Sequence, residues 1–191
     1  MGKFVVNLKP MTLEELKYPI GKFVKPEIFT PELISKCIED IGTFPERLKV
    51  EVTMLTEQQL ETPYRPDGWT IRQVVNHCAD SHMNSIIRFK LALTENAPTI
   101  KPYQEALWAE LTDSKHFPIQ SSLLILEGVH QRLTALLKSI TTEQLSRSFI
   151  HPEYGKTMTI DETIALYAWH GNHHLAHITH LKERGVEIMI R

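Results

Sequence analysis

Apolar residues recur at helical spacing over four long stretches of this chain, and turn-forming residues separate them. In the first stretch Thr30 is placed to cap, Pro31 takes the first helical position and Glu32 lies in the first turn. Ile34, Ile38, Ile41, Leu48, Val52 and Leu55 then follow a heptad seam. Pro45 lies on that seam and removes one backbone hydrogen bond, which predicts a kinked or divided helix. The second helix is expected from Thr70 to about Leu93, opened by a Thr70/Gln73 capping box and a Trp69–Val74 hydrophobic staple. The third carries the cleanest seam: Ile119, Leu123, Leu126, His130, Leu133, Leu137 and Ile140 step by fours and threes, with a histidine at a core position. The fourth is expected to begin at a Thr159/Glu162 capping box, to run to Arg184 and to stop at Gly185.

The connecting segments are uneven. Residues 1–29 show no sustained period, and Tyr18-Pro19-Ile20-Gly21 with Lys25-Pro26 reads as an extended arm laid over the body. Glu61 to Gly68 is a firm break. Residues 95–117 form a long connection with one short helix expected at 106–111, and Ser146–Met158 reads as a loop. Thr56-Glu57-Gln58-Gln59-Leu60 and Thr142-Glu143-Gln144-Leu145 echo one another; each precedes a loop and then a Thr-capped helix with an inward histidine. These features predict an all-α fold, a single domain over 1–191 built as a four-helix bundle with an N-terminal arm. The 95–117 connection is long enough to cross the bundle and make the second and third helices parallel. Up-down-down-up then brings the histidines of the second and fourth helices to similar depths, about 10 Å and about 14–20 Å from one end.

Composition narrows the function. At 42% hydrophobic and 23% charged residues, with net charge −2, the chain has the make-up of an ordinary globular protein with no electrostatic case for nucleic acid or an anionic membrane. No apolar run approaches the roughly 20 residues that span a bilayer, and Phe4-Val5-Val6 is too short for a signal-peptide core, so a cytoplasmic location is expected. Cys37 and Cys78 fall at helix-core positions and are expected to be reduced and buried.

Five of the ten histidines lie between Trp169 and His180. His170 and His174 are one turn apart, about 40° around the helix and about 6 Å along it, and Leu166, Tyr167, Ile178 and Leu181 bracket them. Two imidazoles on an apolar stripe are costly to desolvate unless a cation satisfies both, so the pair points to a metal. His173 and His180 fall to the periphery. On the second helix two residues compete as third ligand. His82 is mid-stripe, as suits a structural histidine; His77 is at the edge beside Asp80, Ser81 and Asn84, as suits a water-accessible ligand.

The run Gly68-Trp69-Thr70-Ile71-Arg72-Gln73-Val74-Val75-Asn76-His77-Cys78-Ala79-Asp80-Ser81-His82, with Arg88-Phe89-Lys90, resembles the YfiT branch of the DinB-like superfamily. Trp169-His170 to His174, Ala176-His177-Ile178-Thr179 and Tyr18-Pro19-Ile20-Gly21 match the same branch, so the likeness spans nearly the whole chain. The resemblance implies a DinB-like four-helix bundle holding a divalent metal, zinc or nickel, on His77, His170 and His174. It also implies a homodimer and a small-molecule substrate, with metal-dependent hydrolysis as the activity. Related branches use a low-molecular-weight thiol of the bacillithiol type in S-transfer. Gly171 and Asn172 are poor helix formers between the two ligands and suggest close packing there.

Three histidines leave a metal an open position, as catalytic sites do, and that position could activate water or a thiol. Asp80, Asn84, Arg88 and the loop Tyr64-Arg65-Pro66-Asp67 offer polar groups near His77 beyond what a water-only site requires, which tips the expectation toward a thiol-using transferase, with hydrolase as the broader family description. Asp80, His130 and His177 are candidates for proton transfer or for supporting the ligands. The alternative from another class is a noncatalytic metal-binding stress-response module, in which the ion only staples the bundle.

Overall fold

A computed structural model describes residues 11–153 and 155–183; the expected helix end at Arg184 and Gly185 lies outside the described residues. In chain order the elements are α1 (Leu13–Lys17), α2 (Pro31–Val52), α3 (Glu57–Leu60), α4 (Ile71–Thr94), α5 (Glu105–Trp108) and α6 (Thr112–His116), then α7 (Gln120–Lys138), α8 (Thr142–Leu145), β1 (Ser148–His151), β2 (Lys156–Thr159) and α9 (Ile160–Glu183). The four long helices α2, α4, α7 and α9 form the bundle.

Side-chain contacts fix its directions. Asn76 and Ser122 meet near the starts of α4 and α7, and His82 meets His130 further along both, so these neighbours run parallel. Arg47–Asn172 and Lys182–Glu51 make α2 and α9 parallel. His77 faces His170 while Arg88 reaches Tyr167, which makes α4 and α9 antiparallel. The order is up-down-down-up, with the crossover between α4 and α7 carrying α5 and α6.

Local sequence accounts for the helix starts. The hydroxyls of Thr30 and Thr70 accept from Leu33 N and Gln73 N, and Gln73 completes a capping box. The two echoed segments are matching single turns, α3 and α8, each closed by a capping box: Thr56/Gln59 and Thr141/Gln144. α9 differs from expectation. Asp161 captures the Thr159 hydroxyl and the Glu162 amide, while the Glu162 carboxylate pairs with Lys25, so no Thr159/Glu162 box forms.

The apolar seams build two clusters. One holds Ile34, Ile38, Phe89, Leu133, Phe149 and Ile164; the other holds Phe44, Leu48, Val75, Leu126 and Ile178. Pro45 does not divide α2, which continues through it to Val52. Cys37 and Cys78 are free and buried.

Two further elements depart from the sequence reading. Ser146–Met158 is not all loop: β1 and β2 pair antiparallel, Phe149 opposite Met158, and both side chains enter the core. Gly155, at φ +57°, occupies the turn. The crossover is pinned to this hairpin by Ile100 N to Ile150 O and Ile150 N to Pro98 O. Within the arm, Thr12 and Glu15 cap the five-residue α1 with a reciprocal capping box. Beyond α1 the arm runs over α9 as expected, with Trp169 Nε1 donating to Gly21 O.

Candidate metal centre

The seam between α4 and α9 brings His77, His170 and His174 together. One ring nitrogen of each lies within 4.8 Å of the others, and Nε2 of His77 is 3.3 Å from Nε2 of His170. Metal–imidazole bonds of 2.0–2.1 Å at tetrahedral angles give nitrogen–nitrogen edges of about 3.3–3.4 Å, so that pair is spaced to share one ion. The donor set is also in the right protonation state. Desolvation lowers His77 to about 4, helped by the neighbouring His173, and lowers His170 and His174 well below the ordinary imidazole value. All three offer lone pairs at neutral pH, and these residues could hold one divalent cation.

Close packing sets the register of the pair. Gly171 is buried, and a Cβ there would lie 3.0 Å from Cδ2 of Phe44. Asn172 accepts from Arg47 Nη1 at 2.8 Å, which ties the same turn to α2. The two poor helix formers between His170 and His174 are thus points of close contact between α9 and α2.

His82, the other candidate on α4, stands behind the cluster. Its Nε2 lies 3.0 Å from Nδ1 of His170, and its Nδ1 lies 2.6 Å from Nε2 of His130. It contacts a ligand candidate and is not grouped with the three. His130 is buried at the bundle centre, and its Nδ1 lies 2.6 Å from the Ile41 carbonyl.

A second grouping, His173, His174 and His177, lies entirely on α9 and shares His174 with the first. Its other members have structural partners. His177 Nε2 donates to Lys17 O at 3.2 Å and its ring stacks on Tyr64, while His173 stacks on Trp169. His173 is buried, against the expectation that it is peripheral. The arm covers that side of α9, with Tyr18 near His173, so a helix position read as outward is enclosed.

A cavity of about 350 Å³ opens beside the three histidines, lined among others by Trp69, Arg88, Tyr103, His151, Met158 and Tyr167. Arg88 Nη1 donates to the Tyr167 hydroxyl at 3.3 Å, and Tyr167 donates to Ser81 O at 3.4 Å. The guanidinium Nε of Arg88 is buried with no hydrogen-bond partner in the protein. Asp80, Asn84 and residues 64–67 do not line the cavity. Asp80 is half-buried; desolvation and then Asp113 push its carboxyl up to about 6. Of the wall residues, Tyr103 and His151 have no motif in the sequence. His151 could be found only through the hairpin, whose alternation turns it inward with Phe149, and Tyr103 only through the pinned crossover.

Comparison with known proteins supplies the context. Residues 43–178 match the model of the DinB superfamily. A Bacillus cereus protein named "Putative metal-dependent hydrolase" is 52% identical over 172 residues, covering 90% of this chain and 98% of its own length. A Bacillus mycoides protein of the same description matches to the same extent. Among solved structures, YfiT from Bacillus subtilis, described as a probable metal-dependent hydrolase with an unusual four-helix bundle topology, superposes with a TM-score of 0.87. It is 48% identical, over 89% of this chain and 97% of that one.

Proposed function

This chain belongs to the DinB superfamily, and from that premise we propose that it is a metal-dependent hydrolase whose ion, zinc or nickel, is held by His77, His170 and His174. The observation that carries the proposal is the convergence of three desolvated, neutral imidazoles on one point at the wall of a cavity. When bound, the ion supplies Lewis acidity, polarising the oxygen of an ester or amide and making water a stronger acid. Among the described residues three histidines are grouped there, which leaves room for substrate, whereas a structural zinc site closes with four.

The remaining groups are arranged to bind and orient. Arg88, steadied by the Tyr167 hydroxyl, lines the cavity with a guanidinium that suits a carbonyl or carboxylate oxygen of the substrate. Trp69, Phe149 and Met158 supply apolar wall that limits water around the reacting bond. The groups that would favour a thiol cosubstrate near His77 are, apart from Arg88, not in the cavity wall. Hydrolysis is therefore the reading the site supports best.

The test is turnover by zinc- and nickel-loaded protein on ester and amide panels in thiol-free buffer, with His77→Ala, His170→Ala and His174→Ala as controls. Metal-dependent turnover lost in each control is the expected result. Turnover that appears only with a low-molecular-weight thiol and an electrophile would establish S-transfer instead. Full metal loading with no turnover on either panel would favour the noncatalytic module.

A further inference from the structure

Pro45 lies inside α2 and has no backbone N–H, so the carbonyl of Ile41, four residues earlier, lacks its helical donor. His130 Nδ1 fills that place at 2.6 Å. A carbonyl oxygen only accepts, so Nδ1 of His130 carries the proton and, in a neutral ring, Nε2 carries the lone pair. That Nε2 lies 2.6 Å from Nδ1 of His82, which must then be the donor. The Nε2 of His82 is left as an acceptor, 3.0 Å from Nδ1 of His170, which must donate in turn. His170 is thereby held with its proton on Nδ1 and its Nε2 lone pair turned toward His77. Each step has one solution once the first is fixed.

We infer that the Ile41 carbonyl, His130 and His82 form a one-way hydrogen-bond relay that fixes the tautomer of His170 and holds its Nε2 ready for a metal ion. His82 and His130 are positioning residues in this scheme, which rests on reading His170 as a ligand. The surroundings suit the role. Both rings are 1% exposed and Phe44 packs against both, so water does not compete for their nitrogens. Burial keeps them neutral, with His130 lowered to about 4. An outer partner that accepts the second imidazole proton orients the ring and raises the basicity of the ligating nitrogen, and successive bonds polarise one another. The opposite tautomer would aim an N–H at the ion.

The metal-free protein tests this directly. Long-range proton–nitrogen spectra of histidine-labelled apo protein should show His82, His130 and His170 all protonated on Nδ1. His130→Gln keeps the polarity, because its amide can donate to Ile41 O while its oxygen accepts from His82; His130→Met cannot. In competition with a chromogenic chelator, zinc affinity should fall about 10–100-fold in His130→Met and stay within a few-fold in His130→Gln. An Nε2–H tautomer at His170 in the wild-type apo protein overturns the relay, whether or not His130→Met folds. So does wild-type zinc affinity in a folded His130→Met. His170→Ala separates the underlying assignment: retained zinc there refutes His170 as a ligand, whereas lost zinc beside an Nε2–H His170 in the wild type refutes the relay alone.

Discussion

Replacing Gly171 with alanine sets two effects of similar size against each other. In a helix interior, alanine is favoured over glycine by about 0.8–1.0 kcal/mol. Against that, the new Cβ would lie 3.0 Å from Cδ2 and 3.1 Å from Cγ of Phe44, where carbon atoms at rest stand about 3.5–4.0 Å apart. Phe44 cannot easily retreat: it is 1% exposed and its ring already lies against His82 and His130. Overpacking a filled core costs about 1–3 kcal/mol, so the net change is a loss of about 1 kcal/mol. For a chain of this size, that lowers the melting temperature by about 2–4 °C. Thermal unfolding of the apo protein followed by circular dichroism reads it. The double variant Phe44→Leu/Gly171→Ala isolates the cause. With the ring gone, the alanine should stabilise, giving a coupling energy of about 2 kcal/mol between the positions. A higher melting temperature for Gly171→Ala in the wild-type background would refute the packing reasoning.

Two other outcomes follow from the structure. Chelation should leave the helical circular-dichroism signal in place, because neither apolar cluster includes a ligand histidine; at a metal concentration 100-fold above Kd, loading should add about 2.7 kcal/mol. Loss of the helical signal on chelation would mean that the ion staples the fold. Apo stability should also depend on pH through His130, whose ordinary value of 6.5 is lowered to about 4 by burial. The unfolded chain takes up that proton as pH falls through 6.5 while the folded chain does not, so this contribution is full above 6.5 and is lost progressively toward pH 4. In urea titrations across that window, His130→Gln should reduce the slope by up to about 1.4 kcal/mol per pH unit, and an unchanged slope would refute it.

Much of this fold is legible where one stretch of sequence determines its own structure. The Thr70/Gln73 box, the Ile119 to Leu137 seam and the His170/His174 turn each need only helical geometry, and each is found where its spacing places it. The crossover length also carried the topology. Four residues of alternation in Ser148–His151 are too few to stand out, so the hairpin and the inward side chain of His151 were not readable. The Thr12/Glu15 box was written in the chain, but a five-residue helix has no apolar period to support it. At Thr159 a local signal lost to a neighbour: Asp161 is a nearer acceptor than Glu162. The His82–His130–Ile41 contacts join residues from three helices, and no one-dimensional spacing reports them.

The parallel course of α4 and α7 has a consequence for how the protein comes to be folded. His77 and His170 are 93 residues apart in the chain, and the crossover must be laid down before they can meet. Closing a loop of that length in a disordered chain costs about 4 kcal/mol in the logarithmic contribution alone, while His170 and His174 are already one turn apart. On the proposed ligand set, the α9 pair would offer an ion its first two nitrogens as soon as that helix forms, and His77 would complete the site only once α4 has docked against it. Metal would then leave the rate of folding nearly unchanged and slow the rate of unfolding, so that occupancy governs how long each folded molecule survives.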